Sequence, residues 1–247
     1  MSEVRGCVLR DIENSQTKGR EFCWRCRQTE AGCYCKNLRA FDPQIEFVVL
    51  IHKIEARRRI ATGRMSHLIL RHSHLIEGDQ FECHSGVNEL ISDSRFFSVV
   101  LYPGAGSFDI SNSTAAEHSN FVPRGKKLLI FVIDGTWATA RRTMRLSPNL
   151  LRLPRICFSP RRESQFKVRQ QPAPHCLSTL EAIHHTIELL GASQGFDVAS
   201  RVHDRMLEAF TFMVEKQHSH VPPGHRHPRD KTRLTAKRAH RDQLVVR

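Results

Sequence analysis

Short apolar runs along the chain alternate with stretches in which apolar residues recur at helical spacing. Runs rich in β-branched residues at 45–51, 96–101 and 128–133 predict strands that are buried on both faces. The helical spacing predicts helices that begin at Thr62 and, near the end of the chain, run from Val198 to Lys216. Because strands that alternate with helices form parallel sheets, the sequence predicts an α/β fold with a mostly parallel sheet flanked by helices.

Weaker patterns predict the remaining elements. The sequence from Leu177 to Glu181 has the capping-box pattern of a helix start, and this helix is predicted to end at Gly191. Residues 107–124 contain Ser, Asn, Pro and Gly, so we predict a loop or a connection with little helix there. The other predicted elements are short strands at 73–79 and 155–158 and a short helix at 87–92.

Composition divides the chain into four parts. Residues 1–20 are polar and predict a flexible leader, and 217–247 are rich in His, Arg, Lys and Pro and predict a disordered basic tail. Between them we predict a small cysteine-containing module at 21–40 and a single larger domain at 41–216. The leader lacks the apolar segment of a signal peptide, which favours a cytoplasmic location.

The charge points to a polyanionic partner. With 38 Lys and Arg against 25 Asp and Glu, the formal net charge is +13. A chain this basic is typical of proteins that bind nucleic acid. Only 2 Tyr and 2 Trp are present, which argues against an aromatic platform of the RRM type. No apolar run is long enough to span a membrane, so we expect no membrane partner.

Two closely spaced cysteine pairs predict a metal site. Cys23 and Cys26 have the spacing of a zinc knuckle, and Cys33 and Cys35 follow within a few residues. In a reducing compartment, four thiolates in so short a segment favour a structural zinc ion. A redox-active pair or four unrelated cysteines are the alternatives. The four other cysteines are scattered, and we expect them to be packing residues.

Polar residues and tight turns follow several predicted strands. In open α/β sheets, ligands bind beyond the carboxyl ends of the strands. Asp134 lies at such an end, where it is either a functional-site residue or the N-cap of the next helix. The turn Tyr102-Pro103-Gly104 lets a ligand approach the main chain. Ser178 and Thr179 begin a helix, where they either bind a ligand or act only as caps.

Basic residues close to these strand ends are candidates for contact with phosphate, although a solvated surface explains such residues equally well. The candidates are Arg57, Arg58, Arg59, Arg64, Arg141, Arg142, Lys167 and Arg169.

The segment Asp134-Gly135-Thr136-Trp137 resembles the signature of the DTW-domain family, in which Asp-x-Thr-Trp follows a buried strand. The resemblance covers roughly residues 22–215, and the cysteine cluster is typical of bacterial members. Further motifs occur in the family's order, namely His52-x-x-Glu55 with Thr62-Gly63-Arg64, Tyr102-Pro103-Gly104, 164–172 with Arg169, and Leu177-Ser178-Thr179-x-Glu181-Ala182.

The resemblance implies a tRNA-uridine aminocarboxypropyltransferase with a SPOUT-like α/β fold. Such enzymes use S-adenosylmethionine as donor and modify N3 of a uridine in tRNA. Because uridine N3 must lose a proton before it reacts, we choose Asp134 as the general base, with Thr136 and Trp137 shaping the pocket. Trp137 either stacks on a base or adenine or is a core residue. The implied donor-binding residues are Tyr102, Pro103, Gly104, Leu177, Ser178 and Thr179.

Two other functions fit the same features. A SPOUT-type RNA methyltransferase would share the fold, the donor and the basic surface. A zinc-dependent RNA-binding protein without activity would share the charge and the cysteines. We expect tRNA as the partner and no stable protein partner, and the sequence leaves the oligomeric state open.

Overall fold

The computed structural model describes residues 22–160, 164–165 and 176–219, and its centre is one sheet of six parallel strands. The strand order is β2-β1-β5-β3-β6-β4, and every pair of neighbours is parallel. This confirms the predicted α/β class. The strands are β1 Glu46–His52, β2 Ser73–Gly78, β3 Phe96–Leu101, β4 Phe108–Asp109, β5 Lys127–Asp134 and β6 Arg155–Cys157.

Helices cover both faces of the sheet, and within the described ranges none is long and apolar enough to cross a membrane. They are α1 Lys53–Ala56, α2 Thr62–Ile69, α3 Ser85–Ser92, α4 Ala115–Phe121, α5 Trp137–Arg145, α6 Pro148–Leu151, α7 Thr179–Leu190 and α8 Arg205–Ser219. Short 3-10 turns lie at Glu30–Gly32, Cys35–Asn37, Gly191–Gln194, Val198–Ser200 and Val202–Asp204.

The central strand β5 is apolar on both faces because each face is covered. Ile130 and Val132 pack with residues of α2, α7 and α8, whereas Leu129 and Phe131 pack with residues of α3, α5 and α6. Successive side chains of a strand point to opposite faces. Asp134 follows Val132 by two positions, so it lies on the α2 and α7 side of the sheet.

The cysteine-containing segment packs against the larger domain. Cys26 and Tyr34 belong to the same buried cluster as the apolar residues of α2 and α8. Arg27 Nη1 donates to the carbonyl of Ala56 over 2.8 Å, and Gln28 Nε2 donates to that of Arg59 over 2.6 Å. The segment is therefore attached to residues 56–59, which follow β1.

The structure corrects the prediction of a loop at 107–124. This region contains β4 and α4, and α4 begins with a capping box in which Thr114 and Glu117 bond reciprocally to each other's main chain. The pattern Thr-Ala-Ala-Glu was a readable helix start that the high Ser and Asn content obscured.

The last helix also differs from its prediction. Two 3-10 turns occupy 198–204, and α8 begins only at Arg205, because Arg201 has a left-handed φ of 54° that interrupts a helix. At its other end α8 reaches Ser219, beyond the predicted boundary at 216. The predicted leader at 1–20 and residues 220–247 of the predicted tail lie outside the described residues.

Candidate active site at the strand ends

Asp134, the last residue of β5, lies between the N-termini of two helices. Its side chain is 6% exposed, and Thr179 Oγ1 donates to its Oδ1 over 2.6 Å. A Cβ added at Gly63 would lie 2.5 Å from Oδ2, so the carboxylate packs against the first turn of α2. The strand, α2 and α7 together fix the position of this carboxylate.

Asp134 does not cap the helix that follows it, which corrects one of the two interpretations of this residue. The N-cap of α5 is Thr136, whose hydroxyl accepts from the N–H of Thr139 over 3.2 Å. Thr136 therefore fixes the turn after β5. Its side chain is exposed, and its observed bonds are those of a cap.

The first two residues of the α7 motif have different roles. Ser178 is the N-cap, and its side chain accepts from the N–H of Glu181 over 3.3 Å. Thr179 is the first helical residue, and its hydroxyl bonds to Asp134 instead of to its own helix. The cap-only interpretation thus holds for Ser178 and fails for Thr179. Leu177, which precedes the cap, is half-buried.

Two aromatic rings follow the ends of β3 and β5 at the same edge of the sheet. Trp137 is 42% exposed, and its Nε1 donates to Cys176 Sγ over 3.3 Å. The ring centroid of Tyr102 lies 6.5 Å from that of Trp137, with 58° between the ring planes. Burial raises the pKa of the Tyr102 hydroxyl above its ordinary value, so this residue is a neutral donor at pH 7. The motifs at 102–104, 134–137 and 176–179 therefore meet at one edge of the sheet.

Arg155, at the start of β6, joins this site although the sequence analysis did not single it out. Its Nη2 donates to the carbonyl of Ala105 over 2.6 Å, and a Cβ at Gly104 would lie 2.8 Å from its Nη1. Pro103 and Gly104 are themselves exposed. The lack of a side chain at Gly104 keeps the main chain accessible next to a guanidinium group. Nothing in the local sequence marks Arg155, because its place depends on the pairing of β3 with β6.

Glu181 connects α7 to the basic segment that precedes it. Its buried carboxylate accepts from the N–H of Ser178 over 2.7 Å, from Ser164 Oγ over 2.8 Å and from the N–H of Gln165 over 2.8 Å. The capping box thus also fixes the start of the segment at 164–165. Lys167 and Arg169, predicted to bind RNA, lie outside the described residues.

The remaining candidate arginines occupy different environments. Arg57, Arg59, Arg141 and Arg142 are exposed. Arg58 is half-buried and pairs with Glu55 at 3.0 Å.

Arg64 is not among the exposed arginines. It is 5% exposed and donates to the carbonyls of Ala56 and Arg58. Burial lowers the pKa of its guanidinium. Because its donors face the main chain, Arg64 holds residues 56–58 together.

The four sulfurs of Cys23, Cys26, Cys33 and Cys35 all lie within 4.8 Å of one another. The Cys23–Cys35 distance is 3.8 Å and the Cys26–Cys33 distance is 3.6 Å. Four sulfurs at about 2.3 Å from a tetrahedral zinc ion are about 3.8 Å apart, so the cluster fits zinc. The N–H of Cys26 lowers the pKa of the Cys23 thiol to about 6, and burial raises the pKa values of Cys26 and Cys35.

Comparison with known proteins identifies the family of the chain. The DTW domain model matches residues 20–218. The chain belongs to the DTW domain family. Its DTW residues, Asp134, Thr136 and Trp137, are those that the structure places at the end of β5 and the start of α5.

The DTW chain is also similar to two curated animal proteins. One, from Drosophila melanogaster, is named tRNA-uridine aminocarboxypropyltransferase 2 and is 31% identical over 179 residues, which are 69% of this chain and 67% of the relative. One from Macaca fascicularis bears the same name and is 25% identical over 195 residues, 74% of this chain and 60% of the relative. No solved structure matches the chain. The SPOUT-like fold and the bacterial-type organisation stay predictions.

Proposed function

We propose that this DTW protein transfers the 3-amino-3-carboxypropyl group of S-adenosylmethionine to N3 of a uridine in tRNA. The names of the relatives support the reaction class. The observation that carries the proposal is the bond from Thr179 to Asp134, which orients a buried carboxylate at the edge of the sheet where Tyr102 and Trp137 also meet. This site lies at the edge of the sheet where α/β proteins bind their ligands.

The residues present fit the donor. S-adenosylmethionine carries a carboxylate, a sulfonium and an adenine, and its sulfonium activates the carbon that is transferred. Arg155, beside the accessible main chain of Gly104, complements the carboxylate. The faces of Trp137 and Tyr102 suit the adenine or the sulfonium. Orientation selects the chemistry, because the methyl group must be covered and the γ-carbon presented to the acceptor.

Asp134 is assigned the proton transfer. Uridine N3 is a poor nucleophile until it loses its proton, and a carboxylate within hydrogen-bond distance accepts that proton. As the proton moves to Asp134, N3 forms a bond to the γ-carbon, and the carbon–sulfur bond breaks with its electrons moving to sulfur. Thr179 holds the carboxylate in place. The low exposure of Asp134 keeps water from competing with the uridine for the carboxylate.

The basic surface supports tRNA as the acceptor. Arg57 and Arg59 follow β1, while Arg141 and Arg142 lie on α5, the helix that begins at Trp137. All four are exposed and belong to a chain with a net charge of +13. We assign these four arginines to contact with tRNA phosphates and the zinc ion to a structural role in the 21–40 module.

The experiment that tests the proposal combines the purified protein, an unmodified tRNA transcript and S-adenosylmethionine, followed by nucleoside mass spectrometry. A uridine heavier by one aminocarboxypropyl group is the expected product. A methylated nucleoside would assign the chain to the methyltransferases instead. Absence of any modified nucleoside from a complete tRNA pool would exclude tRNA as the acceptor.

A further inference from the structure

The 21–40 module exposes two large aromatic side chains. Trp24 is 87% exposed and Phe22 is 50% exposed, although aromatic rings of this size are usually mostly buried. Trp24 lies in the tight loop between Cys23 and Cys26, two residues of the cysteine cluster. An exposed indole of this kind is a feature of binding surfaces.

The surroundings of the two rings are cationic. The guanidinium of Arg59 lies over the ring of Phe22, 5.1 Å from its centroid. Arg25 and Arg27 are exposed in the same knuckle. Aromatic rings combined with arginines are what proteins use to bind unpaired nucleotides, since bases stack on the rings and phosphates pair with the cations.

A continuous set of contacts relates this surface to the active site. Arg27 donates to the carbonyl of Ala56, and Arg64 donates to the same carbonyl. Arg64 follows Gly63, which packs against Asp134. The aromatic surface therefore belongs to the part of the molecule that follows the carboxyl end of β1, next to the strand that carries Asp134.

We propose that Trp24 and Phe22, with Arg25 and Arg59, form a second nucleotide-binding surface that stacks an unpaired base of the RNA substrate. This base is distinct from the uridine that reacts at Asp134. The inference rests on the proposed function for the identity of the RNA. The low Tyr and Trp content argues against an RRM-type platform. It is compatible with this smaller surface, which needs only two rings.

The first test measures the affinity of the full-length protein for tRNA at several salt concentrations, and variants are compared at the same concentration. Trp24→Ala should weaken binding about 10-fold to 100-fold, because one stacked base is lost, and Trp24→Phe should restore much of it. The salt dependence of binding should not change, since no charge is removed. Zinc content is measured for each variant, so that loss of the knuckle is distinguished from loss of the ring.

The matched control is Leu151→Ala, which truncates another exposed apolar side chain, 46% exposed, on α6 outside the module. It should leave tRNA affinity unchanged. Equal affinity of the zinc-loaded Trp24→Ala variant and the wild type would overturn the inference, as would an equal loss in Leu151→Ala.

The second test uses fluorescence. The chain has 2 Trp, so Trp24 is the only indole in a Trp137→Phe variant. In the free protein, acrylamide should quench its emission readily, and tRNA or an unpaired oligonucleotide should quench it by stacking, whereas a duplex of the same length should not. An indole that acrylamide cannot reach would show that another part of the chain or a second copy covers it, and would overturn the inference.

The two proposals fail in different ways. If tRNA quenches Trp24 and the Trp24→Ala variant loses affinity, but no modified nucleoside forms, the reaction is wrong and the nucleotide surface stands. If the modified uridine forms at the wild-type rate in Trp24→Ala at tRNA concentrations far below saturation, the reaction stands and the nucleotide surface is wrong.

Discussion

Thr179 donates its hydroxyl hydrogen to Oδ1 of Asp134 over 2.6 Å, which joins the first residue of α7 to the last residue of β5. The two residues are 45 positions apart in the chain. Because Ser178 already caps α7, the hydroxyl of Thr179 is available to the carboxylate. The bond selects one orientation of the Asp134 side chain, and proton transfer from a substrate depends on that orientation.

Replacing Thr179 by Val tests this bond with little change in shape. The variant should fold, because Ser178 and Glu181 still cap α7, but we expect kcat for aminocarboxypropyl transfer to fall about 10-fold to 100-fold. Thr179→Ser retains the hydroxyl and should recover most of the rate. Unchanged kcat in the Val variant would show that Asp134 needs no positioning by this residue.

Asp134→Asn removes the proposed base while retaining an oxygen that accepts from Thr179. We expect the transfer rate to fall about 10²-fold to 10⁴-fold, the usual range for a lost general base. Binding of S-adenosylmethionine, measured by calorimetry, and thermal stability should remain close to wild type. Turnover near the wild-type rate, with the same dependence on pH, would exclude Asp134 as the base.

Gly63→Ala tests the packing on the other carboxylate oxygen. The added Cβ would lie 2.5 Å from Asp134 Oδ2 and 2.8 Å from Val49 Cγ1, and both neighbours are buried. Overpacking of this kind costs about 1–3 kcal/mol, and we expect the displaced carboxylate to lower the transfer rate as well.

Gly86→Ala is the control for this substitution. Gly86 lies in α3, and an added Cβ there would meet only His84 atoms, at 3.6 Å or more. This change should leave activity unchanged and stabilise the protein by about 0.5–1 kcal/mol. Urea denaturation measures the stability of both variants, and transfer assays measure their activity. Equal stability and equal activity of Gly63→Ala and Gly86→Ala would contradict a tight contact at Asp134.

Local sequence patterns were sufficient to predict most of the strands and helices. The apolar run that became β5 is unbroken because both of its faces are covered, and a parallel sheet follows from that property. The Ser178 and Glu181 capping box was likewise readable and is present. The α4 capping box at Thr114 was equally readable, yet the composition of its surroundings led to the wrong prediction of a loop.

The partners within the site could not be read in the same way. Asp134 was ambiguous between a cap and a functional group, because both need a carboxylate after a strand. Only the three-dimensional structure shows that Thr136 does the capping and that Thr179 contacts the carboxylate. Arg64 shows the opposite case, since its charge suggested RNA whereas its burial gives it main-chain partners.

The cysteine cluster predicts one zinc ion per chain and a structural dependence on it. Cys26→Ser should lose the metal and lower the melting temperature by about 10 °C or more, because Cys26 is both a proposed ligand and part of the main core. Cys83→Ser, which changes an exposed cysteine outside the cluster, should do neither. Protein that is purified without zinc and is insensitive to chelators would contradict the assignment.

A cluster of titratable residues around the buried His203 predicts that acid destabilises the fold. His203 is fully buried, neither of its ring nitrogens has a hydrogen-bond partner in the described part of the chain, and burial lowers its pKa. Around it lie His184, Arg201, Asp204 and Glu188. Burial alone would raise the pKa values of the two carboxyls, but their bonds to Arg201 lower them overall.

All three shifts act in the same direction. Each group binds its proton at a lower pH in the folded chain than in the unfolded chain, so the unfolded state takes up more protons as the pH falls. The free energy of unfolding therefore has its full value above the ordinary His pKa of about 6.5, and protonation linked to His203 begins to reduce it below that pH. The two carboxyls reduce it further below about pH 4.5.

The free energy of unfolding, measured in urea at pH 7, 6 and 5, should fall, and the one proton of His203 contributes at most about 1.4 kcal/mol per pH unit to that fall. Burial also lowers the pKa of His67, which adds to the fall in the same range. His203→Leu keeps a side chain of similar size and removes the titration, so its stability should vary less over this range. The same slope in the variant and the wild type would show that another group titrates there. A stability that rises as the pH falls would contradict the lowered pKa of His203.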